Sequence, residues 1–419
     1  MKALTDLLLP PRGHSAARLR RPRRADAPDR SRLTGSALLA GLLGLLLAGP
    51  AVGQQEIDIT GYAGAGTRPI LIEVSGYTGE VAETLRFDLE IAGFKYTTAE
   101  RAQYLLKGTS NGQVEGRLQD ALNKHSLFAK AYSGGGLRVQ AHALADDVVQ
   151  AVTGKPGVAR TKIAFKVAHG GASEIYIADY DGHNALAVTQ DHTVVAAPCW
   201  VPGRRQIYYT SYKFNYPDIF FHDLTTGSRK VIARYSGLNT SPAASPDGRH
   251  VAMILSKEGS PNVFVCDADG GELRQLTRGR EADSSPCWSP DGRTICYATR
   301  MNGRRVLARV PAGGGAVERI PILGVPNPSE PDWSPDGKWI VFTSQMANFE
   351  LCLIPAQGGE ARQLVAGEDA AWAPNSRTLV FTRRLGRGRD VLSLLDVPTK
   401  VMKDVGQSLG ACSQPSWAR

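Results

Sequence analysis

The sequence predicts an α/β N-terminal domain followed by an all-β six-bladed β-propeller closed by the C-terminal strand. Three observations carry that prediction. Tryptophan or its equivalent recurs at Trp200, Ala244, Trp288, Trp333, Trp372 and Trp417, at intervals of 44, 44, 45, 39 and 45 residues. Each interval has the length of a four-stranded blade. The first unit lacks a strand that the last residues can supply.

The repeat is aligned on Pro198-Cys199-Trp200, Ser245-Pro246-Asp247-Gly248, Pro286-Cys287-Trp288-Ser289-Pro290-Asp291-Gly292, Pro331-Asp332-Trp333-Ser334-Pro335-Asp336-Gly337, Trp372-Ala373-Pro374-Asn375 and Pro415-Ser416-Trp417. After each turn comes a β-branched and aromatic run: residues 206–211, 250–256, 294–300, 339–345 and 378–384, with 163–168 opening the series. Such runs are strands. In the turns Pro presets φ, Asp tolerates the second position and Gly supplies positive φ, so these aspartates are turn residues and not catalytic ones. The tryptophans are expected between neighbouring blades. Gln414-Pro415-Ser416-Trp417-Ala418-Arg419 is expected to pair with the unit that begins at Ile163, which removes the free sheet edges.

Residues 68–158 have a different pattern. Ile70-Leu71-Ile72-Glu73-Val74 reads as a strand and Glu80–Ala92 as a helix with Val81, Leu85, Leu89 and Ala92 on one face. Residues 104–108, 113–118 and 127–132 alternate as strands. A helix is expected over 137–152, ending near Gly154 and Pro156.

Before this domain, Lys2 and eight arginines stand against Asp6, Asp26 and Asp29, so residues 1–53 hold +6 of the net charge of +9. The remaining +3 forms no long basic run, which argues against a nucleic-acid partner. An apolar run over 36–49, then Pro50 and Ala51-Val52-Gly53, has the order of a secretory signal peptide with cleavage near Gly53. Residues 54–67 then form a mobile N-terminal segment. Cys199, Cys266, Cys287, Cys296, Cys352 and Cys412 make no Cys-x-x-Cys pair, and His125, His142, His169, His183, His192, His222 and His250 are scattered. No metal or cofactor is expected. A propeller-gated peptidase would need a Gly-x-Ser-x-Gly elbow, which does not occur. The alternative to a protein-binding role is a propeller enzyme or glycan-binding protein of the periplasm.

Several stretches resemble the TolB family, the periplasmic members of the Tol-Pal envelope system. They are Arg68-Pro69-Ile70, Leu85-Arg86-Phe87-Asp88-Leu89 with Gly93-Phe94, the linker Val152-Thr153-Gly154-Lys155-Pro156-Gly157 to Arg160-Thr161-Lys162-Ile163-Ala164-Phe165, and Ala178-Asp179-Tyr180-Asp181-Gly182. The resemblance implies a non-enzymatic periplasmic hub that supports outer-membrane integrity and constriction at division. It would bind the peptidoglycan-associated lipoprotein Pal on the propeller, and TolA or other inner-membrane Tol proteins through Gln54, Gln55, Glu56, Ile57, Asp58, Ile59 and Thr60. Membranes would be reached only through partners. The Pal face would be formed by Leu238, Asn239, Thr240, Ser241, Asp283, Ser284, Ser329, Glu330, Glu368 and Asp369, in the loops that enter the innermost strands. Those loops converge around one channel, which makes them a contiguous surface on physical grounds as well.

Overall fold

The computed structural model describes residues 67–386, 388–405 and 409–419. The expected export signal and the segment Gln54–Thr60 lie outside them.

The first part contains β1 (Ile70–Ser75), α1 (Gly79–Ile91), β2 (Phe94–Tyr96), β3 (Tyr104–Thr109), β4 (Val114–Asp120), β5 (Ser126–Tyr132) and α2 (Leu137–Thr153). Its sheet runs β2-β1-β3-β4-β5, with β1 parallel to β2 and β3 and the remaining pairs antiparallel. Val81, Leu85 and Leu89 of α1 and Ala141, Leu144 and Val148 of α2 are buried, so each helix packs the stripe that its spacing defines. Gly154, at φ 70°, ends α2 in the left-handed conformation that favours glycine. The short strand β2 follows Gly93 and is an element the periodicity did not reveal.

Six four-stranded sheets follow. Their innermost strands are Val195–Trp200, Asn239–Ala244, Ser284–Trp288, Pro328–Trp333, Glu368–Trp372 and Ala411–Trp417. We number the blades from the one opened by Lys162–His169, whose innermost strand is the C-terminal Ala411–Trp417. That strand pairs antiparallel with Lys162–His169, Trp417 opposite Ile163, and closes the ring as expected. A small parallel pair, Ile322–Leu323 with Gly359–Glu360, stands outside the blades.

The repeat motif explains both the turns and the core. In Ser245-Pro246-Asp247-Gly248, the Ser245 hydroxyl donates to Asp247 (2.5 Å) and accepts from the His250 amide (2.9 Å), while Asp247 also accepts from the Arg249 amide (3.0 Å). The same three bonds recur around Ser289 and Ser334. These aspartates brace turns. Trp288 Nε1 donates to Ala243 O of the preceding blade (2.8 Å), and Trp372 Nε1 to Asp332 O (3.2 Å). Each ring packs with side chains of two blades. All six cysteines are free thiols.

The α/β part shares its core with blades 1 and 6: Leu89 and Val148 belong to the same buried cluster as Ile163, Leu394 and Trp417. The linker is tied back to α2, because Asp146 accepts from the Ala159 amide (2.8 Å) and the Arg160 side chain (2.9 Å). Trp417 Nε1 donates to Thr161 Oγ1 at 2.7 Å. The closing strand therefore also fastens the linker.

Candidate functional site: the channel end of the propeller

Every innermost strand is interrupted at the same place. Ala197, Ser241, Ser285, Glu330, Asp369 and Gln414, each three residues before the tryptophan position, have φ between 50° and 54°, and each strand's register with its neighbour shifts there. These are β-bulges with a non-glycine residue in the left-handed region, a conformation that costs on the order of 1 kcal/mol or more. Six repeats of the same cost need a structural return. Part of it is visible as bonds between blades: the residue before tryptophan in one blade accepts the amide at the tryptophan position of the next. Ser416 Oγ takes the Trp200 amide (3.1 Å), Cys199 Sγ the Ala244 amide (3.2 Å) and Asp332 Oδ2 the Trp372 amide (2.8 Å). At the bulges, Gln414 Oε1 takes the Ala197 amide (3.0 Å) and Glu330 Oε2 the Asp369 amide (3.2 Å).

The residues expected to form the partner face divide by burial. Asn239 is fully buried, and its amide group spans the Tyr235 backbone, accepting from N (2.9 Å) and donating to O (2.8 Å). Asp283 is buried and accepts from Thr277 Oγ1 (2.5 Å); Ser329 donates to Thr343 O (3.3 Å). These three set the loops. Leu238, Thr240, Ser241, Ser284, Glu330 and Asp369 are half-buried around the channel mouth. Glu368 is buried and accepts from Arg384 at 2.5 Å, yet its Oε2 has no partner.

The electrostatics are uneven around the ring. In blades 5 and 6, burial, then the neighbouring Glu330 and Glu368, push the Asp369 carboxyl well above the usual carboxylate range. Burial raises Glu368 too, against the pull of Arg384. Blades 2 to 4 contribute the neutral Ala197, Ser241 and Ser285 at the same positions. Among the described residues, no group of three His, Cys, Asp or Glu has an arrangement that could hold a metal ion. On the rim of blade 2, Val194, Phe214 and Tyr216 are exposed, and the Arg234 guanidinium lies over the Phe214 ring at 4.4 Å.

A second polar site lies where the α/β part meets the propeller. His142 of α2 places Nδ1 2.7 Å from Asp88 Oδ2 of α1. Its Nε2 is 3.3 Å from Asp181 Oδ2 of blade 1, an ion-pair distance without hydrogen-bond alignment. Tyr180 OH donates to Asp88 Oδ1 (2.5 Å), and Arg138 pairs with Asp181. Burial lowers the His142 pKa, but the two carboxylates outweigh it and hold the imidazole up at about 9. In the sequence, Asp88, Tyr180 and Asp181 stand out only as parts of family motifs and His142 only as one scattered histidine. Their spacing of 54 and 92 residues hides the cluster.

Residues 149–419 match the family model described as TolB beta propeller domain. The Tol-Pal system protein TolB of Bordetella pertussis is 30% identical over 250 residues, 52% of this chain and 57% of that protein. Its counterpart in Dechloromonas aromatica is 32% identical over 50% of this chain and 56% of its own length. The chain thus spans little more than half the length of these curated relatives. The crystal structure of TolB from Acinetobacter baumannii superimposes with a TM-score of 0.77 at 23% identity, over 85% of this chain and 98% of that one, and so shares the fold.

Proposed function

Since the chain belongs to the TolB beta propeller family, we propose that it works in the periplasm as a protein-binding hub of a Tol-Pal assembly, holding the lipoprotein Pal at the channel end of its propeller. The observation that carries this reading is the ring of six strained bulges. It gathers Ala197, Ser241, Ser285, Glu330, Asp369 and Gln414 with the adjoining loops at one end, and backbone strain kept at equivalent positions is a mark of a working surface. The exposed aromatics of blade 2 extend that surface, in keeping with the residue types that dominate protein interfaces. Inner-membrane Tol proteins, TolA among them, would be met by Gln54–Thr60, and the two contacts together would serve outer-membrane integrity and constriction at division.

Titration calorimetry with the periplasmic domain of Pal tests the reading. Ser241→Arg and Asp369→Arg are expected to weaken binding about tenfold or more, whereas Asp291→Arg, in a turn at the other end, leaves it unchanged. Equal affinity for all three variants would sink the proposal.

A further inference from the structure

Blade 4 sets two cysteines directly against each other. Its innermost strand, Ser284–Trp288, pairs antiparallel with Thr294–Met301, and the register puts Cys287 opposite Cys296. The other four face different residues: Cys199 is opposite Tyr208, Cys266 opposite Val251, Cys352 opposite Phe342 and Cys412 opposite Val167. The braced turn between the two strands fixes the register. Ser289 N donates to Thr294 O (2.8 Å), the Ser289 hydroxyl donates to Asp291 (2.6 Å) and accepts from the Thr294 amide (2.9 Å), and Asp291 accepts from the Arg293 amide (3.1 Å). A slip of one residue would send the two side chains to opposite faces of the sheet.

Cys199 and Cys287 hold the same place in the repeat, one residue before tryptophan, and use their sulfurs differently. Cys199 Sγ accepts the Ala244 amide of the next blade, whereas the Cys287 thiol is bonded to the Cys296 sulfur. Both members of the pair lie in the buried cluster that holds Trp333 and Phe342, Cys287 at 8% exposure and Cys296 at 0%. The bond to Cys296, then burial, push the Cys287 thiol well above its ordinary range, so the folded chain holds little thiolate and exchange is slow. Opposed residues of antiparallel strands have Cα atoms about 4.5–5.5 Å apart, within the span of about 4.4–6.8 Å that a disulfide bridges. Their Cβ atoms, about 4.5–5.5 Å apart in such pairs, must close to about 3.8 Å. The backbone is thus in place, and the local tightening makes the bond easier to reduce than an unstrained one.

We infer that Cys287 and Cys296 form a redox site, which a low-molecular-weight disulfide converts to a reversible intrachain bridge between the innermost and second strands of blade 4. The Cys287 thiolate attacks the small disulfide, a mixed disulfide forms and one small thiol leaves. The Cys296 thiolate then attacks the Cys287 sulfur, the mixed bond breaks and the second small thiol leaves. Two electrons pass from the protein sulfurs to the oxidant, and the two protons go to the released thiols. The bridge closes two residues from the Ser285 bulge, so it fastens the strand that carries Ser284 and Ser285. This chemistry does not depend on the partner proposed at the channel mouth; its use in the cell rests on the proposed periplasmic location.

Oxidised glutathione is the probe, added to the folded full chain or present while the chain refolds from denaturant. After denaturation in an alkylating reagent, four of the six cysteines should be alkylated, against all six in the reduced chain. Cleavage after Arg280, Arg293 and Arg300 separates the two cysteines, so mass spectrometry should find peptides 281–293 and 294–300 joined through Cys287 and Cys296. Excess reduced glutathione should reopen the bridge in the folded chain and restore six alkylated sites. Cys296→Ala should yield no linked peptides. Cys352→Ala, which removes the third cysteine of the same buried cluster, should keep them. Six alkylated cysteines after both treatments, a bridge to Cys352 in place of this one, or a bridge that withstands reduced glutathione would overturn the inference.

Discussion

His142 shows what one residue can do at a domain junction. It faces Asp88, Asp181, Arg138 and Tyr180, and His183 Nδ1 approaches Asp181 from the solvent side at 3.4 Å. With its folded pKa raised from 6.5 to about 9, the cation stabilises the folded state. That contribution is complete below the unfolded value and is lost as pH rises through the folded one. Asp181 has the opposite sense: burial opposes its ionisation, but His142, the His183 amide and Arg138 hold its pKa below the usual range, so its contribution is lost only in acid. The free energy of unfolding should therefore fall between about pH 6.5 and pH 9 by an amount approaching roughly 3 kcal/mol, seen as a lower melting temperature. His142→Gln should melt lower at pH 6.5 and flatten that slope. Parallel pH curves for the two proteins would contradict this account of the junction.

At the scale of elements, the approach of α1 to blade 6 rests on a shared core and on a glycine that leaves room for it. Gly93 has φ 91°, and a Cβ there would collide with the Arg377 guanidinium. That group cannot swing away freely, because it is paired with both oxygens of buried Asp396 at 2.6 and 3.0 Å. Gly93→Ala is expected to cost about 1–3 kcal/mol in denaturant unfolding; an unchanged midpoint would mean that the two elements separate at no cost. Much at this scale is legible in the sequence. The strands at 206–211, 339–345 and 378–384 match their expected ranges residue for residue, and the helix expected over 80–92 covers 79–91. Hydrophobic period and Pro-Asp-Gly chemistry are local signals, and they act where they are written. The bulges are not legible, because Ala197, Ser241, Ser285, Glu330, Asp369 and Gln414 share no side-chain type and none is glycine. Their only sequence signal is a fixed distance from the tryptophan. The burial of Asn239 and Asp283 is equally hidden, since a polar residue in a loop has the same sequence signature whether it solvates the turn or holds it.

For the whole molecule, one strand performs several tasks. Ala411–Trp417 completes blade 1, offers Gln414 and Ser416 to blade 2, and fastens the linker at Thr161. Ring, channel mouth and domain junction are thereby built on shared backbone. Stress at one has a short covalent and hydrogen-bonded path to the others. Ring closure also leaves two unlike ends. The braced Ser-Pro-Asp-Gly turns occupy one, and the loops entering the innermost strands occupy the other. We propose reception of the partner at the second end. Its most direct test is photo-crosslinking in living cells from a probe placed at Thr240 or Ser284, compared with Asp247 or Asp291 in the opposite turns. We expect an adduct with an outer-membrane lipoprotein from Thr240 and Ser284 alone; the same adduct from Asp247 and Asp291, with none from Thr240 or Ser284, would contradict the account.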